Sequence, residues 1–122
     1  MTWEVRLHSA FEDEVLALER DVRVALFAAT KLLADFGPQL GRPHADTLKG
    51  SRHANMKELR FEAADGEWRA AFAFDPERKA IMLVAGDKSG GSQKRFYRSL
   101  ISKADLRFSD HLENLKSAKK GK

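Results

Sequence analysis

Residues 55–88, NMKELRFEAADGEWRAAFAFDPERKAIMLVAGDK, decide the fold. Apolar and polar residues alternate through most of this stretch, the period of strands with one buried face. Asp65-Gly66 and Asp75-Pro76 interrupt it, so the pattern predicts three antiparallel strands joined by tight turns. With Asp65-Gly66 as a two-residue loop, Phe61 stands opposite Ala70 and Leu59 opposite Phe72. Leu59, Phe61, Ala63, Trp68, Ala70, Phe72 and Phe74 then share one face, to which the third strand adds Ile81, Leu83 and Ala85. The other face carries Glu58, Arg60, Glu62, Arg69, Ala71, Ala73, Met82 and Val84. A one-residue slip would bury both arginines in the apolar layer. Alternation therefore places Arg60 and Arg69 on a shallow face open to solvent.

Upstream, residues 2–7 (TWEVRL) alternate like a short strand. Ser9 and Glu12 form an S-x-x-E capping box opening a helix with Phe11, Val15 and Leu18 on one side. The chain restarts near Asp21, and Val22, Leu26, Ala29, Leu33 and Phe36 make a second helical stripe, closed by Gly37-Pro38. These two helices are expected to cover the apolar face of the meander, because each stripe needs a partner. Residues 37–54 are rich in Gly and Pro, without periodicity, and predict a long loop of the kind that is usually functional. Downstream, a helix is expected from about Ser92, with Phe96, Leu100, Ala104, Phe108, Leu112 and Leu115 on one side. Residues 115–122 are expected to form a basic, flexible tail.

The chain has 122 residues, enough for one domain over residues 1–122 with a modest core. It has no Cys, which excludes disulfide scaffolds, thiolate zinc sites and cysteine nucleophiles. The N-terminus lacks the basic start and apolar centre of a signal peptide, and no apolar run is long enough to span a membrane. A cytoplasmic location is expected. Residues 1–36 hold seven acids and four bases, a net of −3, so the remainder carries +7 of the total +4. Lys88, Lys94, Arg95, Arg98 and Lys103 fall within residues 88–103 without a single acid. Such asymmetry suits a polyanion held on one side of the molecule, although a solvated helix face reads equally well on charge alone.

An N-terminal strand, two helices, a meander with basic residues on one face, and a C-terminal helix resemble the RelE/ParE toxin superfamily. FGPQLGRPHADTLKGSRHANMKELRF, WRAAFAFDPERKAIMLVAGDK and QKRFYRSLISKADLRFSDHL are closer still to its phage Gp49-like, HigB-type branch. These segments occur in the right order and cover most of residues 36–112, while the first 35 residues match only in pattern. The resemblance implies an α+β RelE-like fold and a ribosome-dependent messenger RNA endoribonuclease. It also implies an antitoxin partner, expected to be a helix-turn-helix protein encoded in the adjacent gene. It further implies that Arg69 contacts the scissile phosphate and that Lys88, Tyr97 and Arg60 complete the catalytic set. Better-studied members carry lysines where this chain has Lys57 and then Glu58, and Lys57 points to the opposite face by parity. The general base therefore stays open.

Metal-independent RNA cleavage uses the neighbouring 2′-hydroxyl as nucleophile and needs a base, cations for the phosphorane, and an acid for the leaving oxygen. A guanidinium at Arg69 suits the phosphate because it is permanently charged and bidentate. The bland alternative is a cross-strand ion pair with Glu62, which the expected register puts directly opposite. Tyr97, the single Tyr, leans away from the stripe carrying Phe96 and so toward the open face. A free phenol titrates near pH 10, so acid–base work there needs cationic help. His8 and His111 read as plain surface residues, whereas His44 and His53 bracket the long loop, where structural or phosphate contacts outweigh catalysis. No histidine pair has metal-site spacing, and neither metal nor cofactor is expected. Arg42, Lys49, Arg52, His53, Lys57, Lys94, Arg95 and Arg98 are the expected RNA contacts, supplying affinity rather than base specificity. Two other readings share the fold: a ParE-like poison of DNA gyrase, and a non-catalytic phage-derived RNA-binding module.

Overall fold

The computed structural model describes residues 2–120. In chain order these form β1 (Val5–Leu7), α1 (Ser9–Leu16), α2 (Arg20–Phe36), a short 3-10 turn (Gly37–Gln39), β2 (Ala45–Thr47), β3 (Lys57–Ala63), β4 (Gly66–Phe74), β5 (Ala80–Asp87) and α3 (Gln93–Lys120). The architecture is α+β. One five-stranded sheet runs β1-β5-β4-β3-β2, with β1 parallel to β5 and every other pair antiparallel.

The β3–β4 reversal falls at Ala64 and Asp65, not at Asp65 and Gly66. Both turn residues have positive φ, 50° and 61°, and Ala63 pairs with Gly66. Positive φ at both central positions is the turn whose twist matches a hairpin. Gly66 is required for another reason: a Cβ there would lie 2.5 Å from the Asp87 carboxylate. The register consequently puts Arg60 opposite Arg69 and Glu62 opposite Glu67, two residues away from the expected pairing. A two-residue shift preserves parity, so Leu59, Ala70 and Phe72 still share a buried face.

β5 departs further, because Ala71 pairs with Val84 and Phe72 with Met82, leaving Leu83 as a bulge. A bulge reverses parity beyond it. Met82 and Ala80 therefore join the core under α1 and α2, and Ala85 packs against that core as expected. Ile81 and Leu83, expected there, join the opposite core with Val84.

That opposite face is not open. Leu100, Ala104 and Phe108 of α3 pack on Ala71, Ala73, Ile81 and Leu83. The alanines expected to floor an open surface are the low ground on which α3 lies. Polar ties hold the helix down. Asp105 accepts from Ser51 Oγ and from Arg52 N–H, and His53 meets Ser109 Oγ at 3.0 Å. His8 Nδ1 accepts from Ala10 N–H, which leaves Nε2 to donate to Asp110 at 2.9 Å. His111 lies 2.8 Å from Asp75, whose side chain is fully buried. His8 and His111 are thus helix anchors and not plain surface residues, and His8 rather than Ser9 caps α1.

Other boundaries also moved. Phe36 is 54% exposed, so the α2 stripe effectively ends at Leu33. Gly37 closes α2 with φ 59°, where a Cβ would strike the Trp3 indole at 2.3 Å. The expected tail from residue 115 is, as far as Lys120, the last turns of α3, and residues 121–122 lie outside the described part. No helix among the described residues is long and apolar enough to cross a membrane.

Candidate active site

Arg60 gives its backbone N–H to His44 O at 2.8 Å, on the β2 side of β3. The Arg60–Arg69 pair is therefore not joined by backbone hydrogen bonds, and in such pairs the side chains stand closest. Like charges facing one another this way repel. Glu58, two residues along the same face and 3% exposed, offsets the repulsion. Its Oε2 accepts from Arg60 Nε at 3.0 Å and Nη2 at 2.9 Å. Its Oε1 accepts the Tyr97 hydroxyl at 2.8 Å and lies 3.9 Å from Arg69 Nε. Arg69 donates through Nη1 to Trp68 O at 2.9 Å, while its buried Nε has no hydrogen-bond partner among the described residues.

A second carboxylate extends the network. Asp46 on β2 lies 3.4 Å from Arg60 Nη2 and receives Arg42 through Nε at 2.9 Å and Nη2 at 2.8 Å. The Arg42 bond holds the Asp46 carboxyl below its usual range. The Glu58 bonds raise the Arg60 pKa further, so its charge is permanent. Burial and then Glu58 push the Tyr97 phenol up, while Arg69 pulls it the other way. Tyr97 in this state is a hydroxyl donor.

Beside this network an open cleft of about 380 Å³ is lined by Pro43, His44, Arg60, Phe61, Glu62, Glu67 and Arg69. Glu62 and Glu67 are exposed at its hairpin end, so a polyanion would enter from the α3 side, where Lys94, Arg95 and Arg98 are exposed. Lys88 stands at the rim, its backbone N–H on Glu67 O at 2.8 Å.

Of the residues expected to be catalytic, Arg60, Arg69 and Tyr97 come together, and Lys88 lies across from Glu67, one residue past the end of β5. The Arg69–Glu62 pair of the alternative reading is not formed among the described residues, because Arg69 stands opposite Arg60; the carboxylate near Arg69 is Glu58. Arg42 pairs with Asp46 but stays exposed. Lys49 and Arg52 are exposed along the flank of α3, where Gly50 abuts Ile101 and Arg52 Nε is 3.8 Å from Asp105. At 1.5 Å per residue, Ile101 and Asp105 stand about 6 and 12 Å along the helix from Tyr97. His53 is committed to Ser109 and to an edge-on contact with Phe108, away from the cleft. Lys57 pairs with Thr47 and Phe72 and keeps to the other face. Sequence reasoning missed Glu58 and Asp46 as partners. The signal for Glu58 was its parity with Arg60 and Arg69 on a strand otherwise bound for burial.

Comparison with known proteins gives three findings. The model of the phage-derived Gp49-like protein family matches residues 13–109. Two candidate toxins of Mycobacterium tuberculosis are similar in sequence. HigB2 is 46% identical over 103 residues, covering 84% of this chain and 51% of that protein. HigB3 is 47% identical over 91 residues, covering 75% of this chain and 77% of its own length. The chain thus spans about half the length of the first of these relatives. A mutant of the Escherichia coli toxin RelE, solved in the free state, superposes with a TM-score of 0.60 over 84% of this chain and 97% of its own. At 13% identity that likeness is one of fold.

Proposed function

The chain belongs to the phage-derived Gp49-like family, and from that premise we propose that it is the toxin of a toxin–antitoxin pair, a ribosome-dependent endoribonuclease that cuts messenger RNA and stops translation. The two HigB relatives support the toxin assignment. The observation that carries the chemistry is the Arg60–Arg69 pair, gathered with Tyr97 around one buried carboxylate at the edge of an open cleft.

In this reading the 2′-hydroxyl attacks the adjacent phosphorus, the P–O5′ bond breaks, and the products carry a 2′,3′-cyclic phosphate and a 5′-hydroxyl. Negative charge builds on the non-bridging oxygens, where fixed cations act most strongly. Arg69 is held by Trp68 O and by the sheet, so its remaining donors are fixed before substrate arrives. Arg60 adds a second permanent charge, the Tyr97 hydroxyl a donor, and Lys88 a cation at the rim. Lys94, Arg95, Arg98, Lys49 and Arg52 face solvent and serve ribosomal RNA as contacts for affinity. The partner in the resting cell is an antitoxin, with a helix-turn-helix protein of the neighbouring gene the first to test. The site of action is the cytoplasm, where ribosomes are, and the chemistry is metal-independent.

The test is direct. Purified chain added to ribosomes translating a defined message should produce cuts ending in a 2′,3′-cyclic phosphate, and the message without ribosomes should survive. Intact message on ribosomes that have bound the chain would refute the proposal.

A further inference from the structure

Glu58 is a buried charge that phosphate chemistry does not itself require. Its carboxylate accepts three hydrogen bonds, one on Oε1 and two on Oε2. The charged and titratable groups around it come from every packed element: Arg60 on its own strand, Arg69 on β4, Tyr97 on α3, and Asp46 on β2 reaching it through Arg60. Oε2 is filled by Arg60, and the one remaining lone-pair site, on Oε1, has Arg69 Nε 3.9 Å away.

We propose that Glu58 is the positioning residue of this cleft: its carboxylate keeps Tyr97 a neutral hydrogen-bond donor and holds Arg60 beside Arg69. The phosphate part of this role rests on the nuclease reading above, whereas the state of Tyr97 does not. A tyrosinate at 2.8 Å from an ionised carboxylate would be repelled, so the pair is stable only with the proton on the phenol. Tyr97, its single O–H engaged by Glu58, therefore does not take the proton from the 2′-hydroxyl, and it donates to a phosphate oxygen only by turning that O–H from Glu58. Arg60, pinned by two bonds to Oε2, cannot swing away from Arg69, so one phosphate meets both guanidinia without an ordering cost.

The chain contains a single Tyr, so its phenolate absorbance titrates Tyr97 alone. Glu58→Gln removes the negative charge yet keeps an oxygen to accept the hydroxyl. Its tyrosine should ionise at a pH lower than in the wild type by about one unit, a tenfold shift in the equilibrium. Arg69→Gln should move the same titration upward, because Arg69 is the group that favours the phenolate. In the ribosome assay Glu58→Gln should lose at least about tenfold in kcat with little change in KM. Its alkaline loss of activity should move down together with the absorbance titration. A tyrosine titration that stays in place, or rises, in Glu58→Gln overturns the proposal. Should that variant fail to fold, Glu58→Asp, whose shorter carboxylate draws back from the hydroxyl, serves instead, and a titration that stays in place or rises there overturns the proposal equally. If the chain proved to have no nuclease activity, the two absorbance results would still decide the role of Glu58.

Discussion

Asp87 accepts the backbone N–H of Glu67 at 3.1 Å, tying the tip of β4 to the end of β5 next to Lys88. The same oxygen takes Ser89 N–H at 2.9 Å, and the Ser89 bonds hold the Asp87 carboxyl below its usual range. Gly66 leaves the room this carboxylate needs. Gly66→Ala should therefore destabilise the chain by about 1–3 kcal/mol, the scale of overpacking. That outweighs the roughly 0.4–1 kcal/mol an alanine contributes by restricting the unfolded chain. Chemical denaturation measures the difference, and a variant as stable as the wild type would remove the Asp87 tie from the account.

Acid should loosen the contact between α1 and α3. Arg107 donates to both oxygens of Glu14, and these bonds lower the Glu14 pKa from its ordinary 4.5. A carboxyl depressed in the folded state contributes stability that is present above its unfolded pKa. That contribution fades as pH falls through the folded value. The wild type should lose Tm below about pH 4.5 more steeply than Glu14→Gln, whose curve should be flatter over the same window. Parallel curves would show that the pair adds nothing.

The exposed cations along α3 are expected to act through long-range attraction. Lys94→Ala with Arg98→Ala should weaken ribosome binding while leaving turnover at saturation near normal. Each lost phosphate contact should reduce the slope of log affinity against log salt by about 0.7–0.9. Binding measured across a salt series checks this, and an unchanged slope would take these residues out of the interface.

Induction of the chain in bacteria without an antitoxin should halt translation first, with messenger RNA falling while DNA supercoiling stays normal. Collapse of supercoiling with messages intact would favour the gyrase-poison reading.

Alternation and helical stripes made the α+β order, both N-terminal helices and the gathering of Arg60, Arg69 and Tyr97 legible in the sequence. What escaped were features with no local signature. The Leu83 bulge reverses parity through a pairing between distant strands, so Ile81 and Met82 exchanged faces. Three residues of β2 carry no alternation and exist because β3 offers an edge. The covering of the arginine face by α3 followed from its own stripe, but the stripe does not say which face it seeks. Glu58 could be placed on the right face, yet its partnership with Tyr97 joins residues 39 positions apart.

The central claim turns on Arg69. Its removal should be tolerated by the fold, because Glu58 keeps both bonds from Arg60 and one from Tyr97, and the Arg69 Nε makes none among the described residues. If Arg69 stabilises phosphate charge, its loss falls on the transition state, and one preorganised donor is typically worth about a hundredfold to a thousandfold in rate. The measurement is cleavage of messenger RNA on translating ribosomes by folded, ribosome-bound Arg69→Ala. A rate at least about a hundredfold below the wild type is predicted. Cleavage at a near-normal rate would mean that Arg69 only balances Glu58, and would contradict the site.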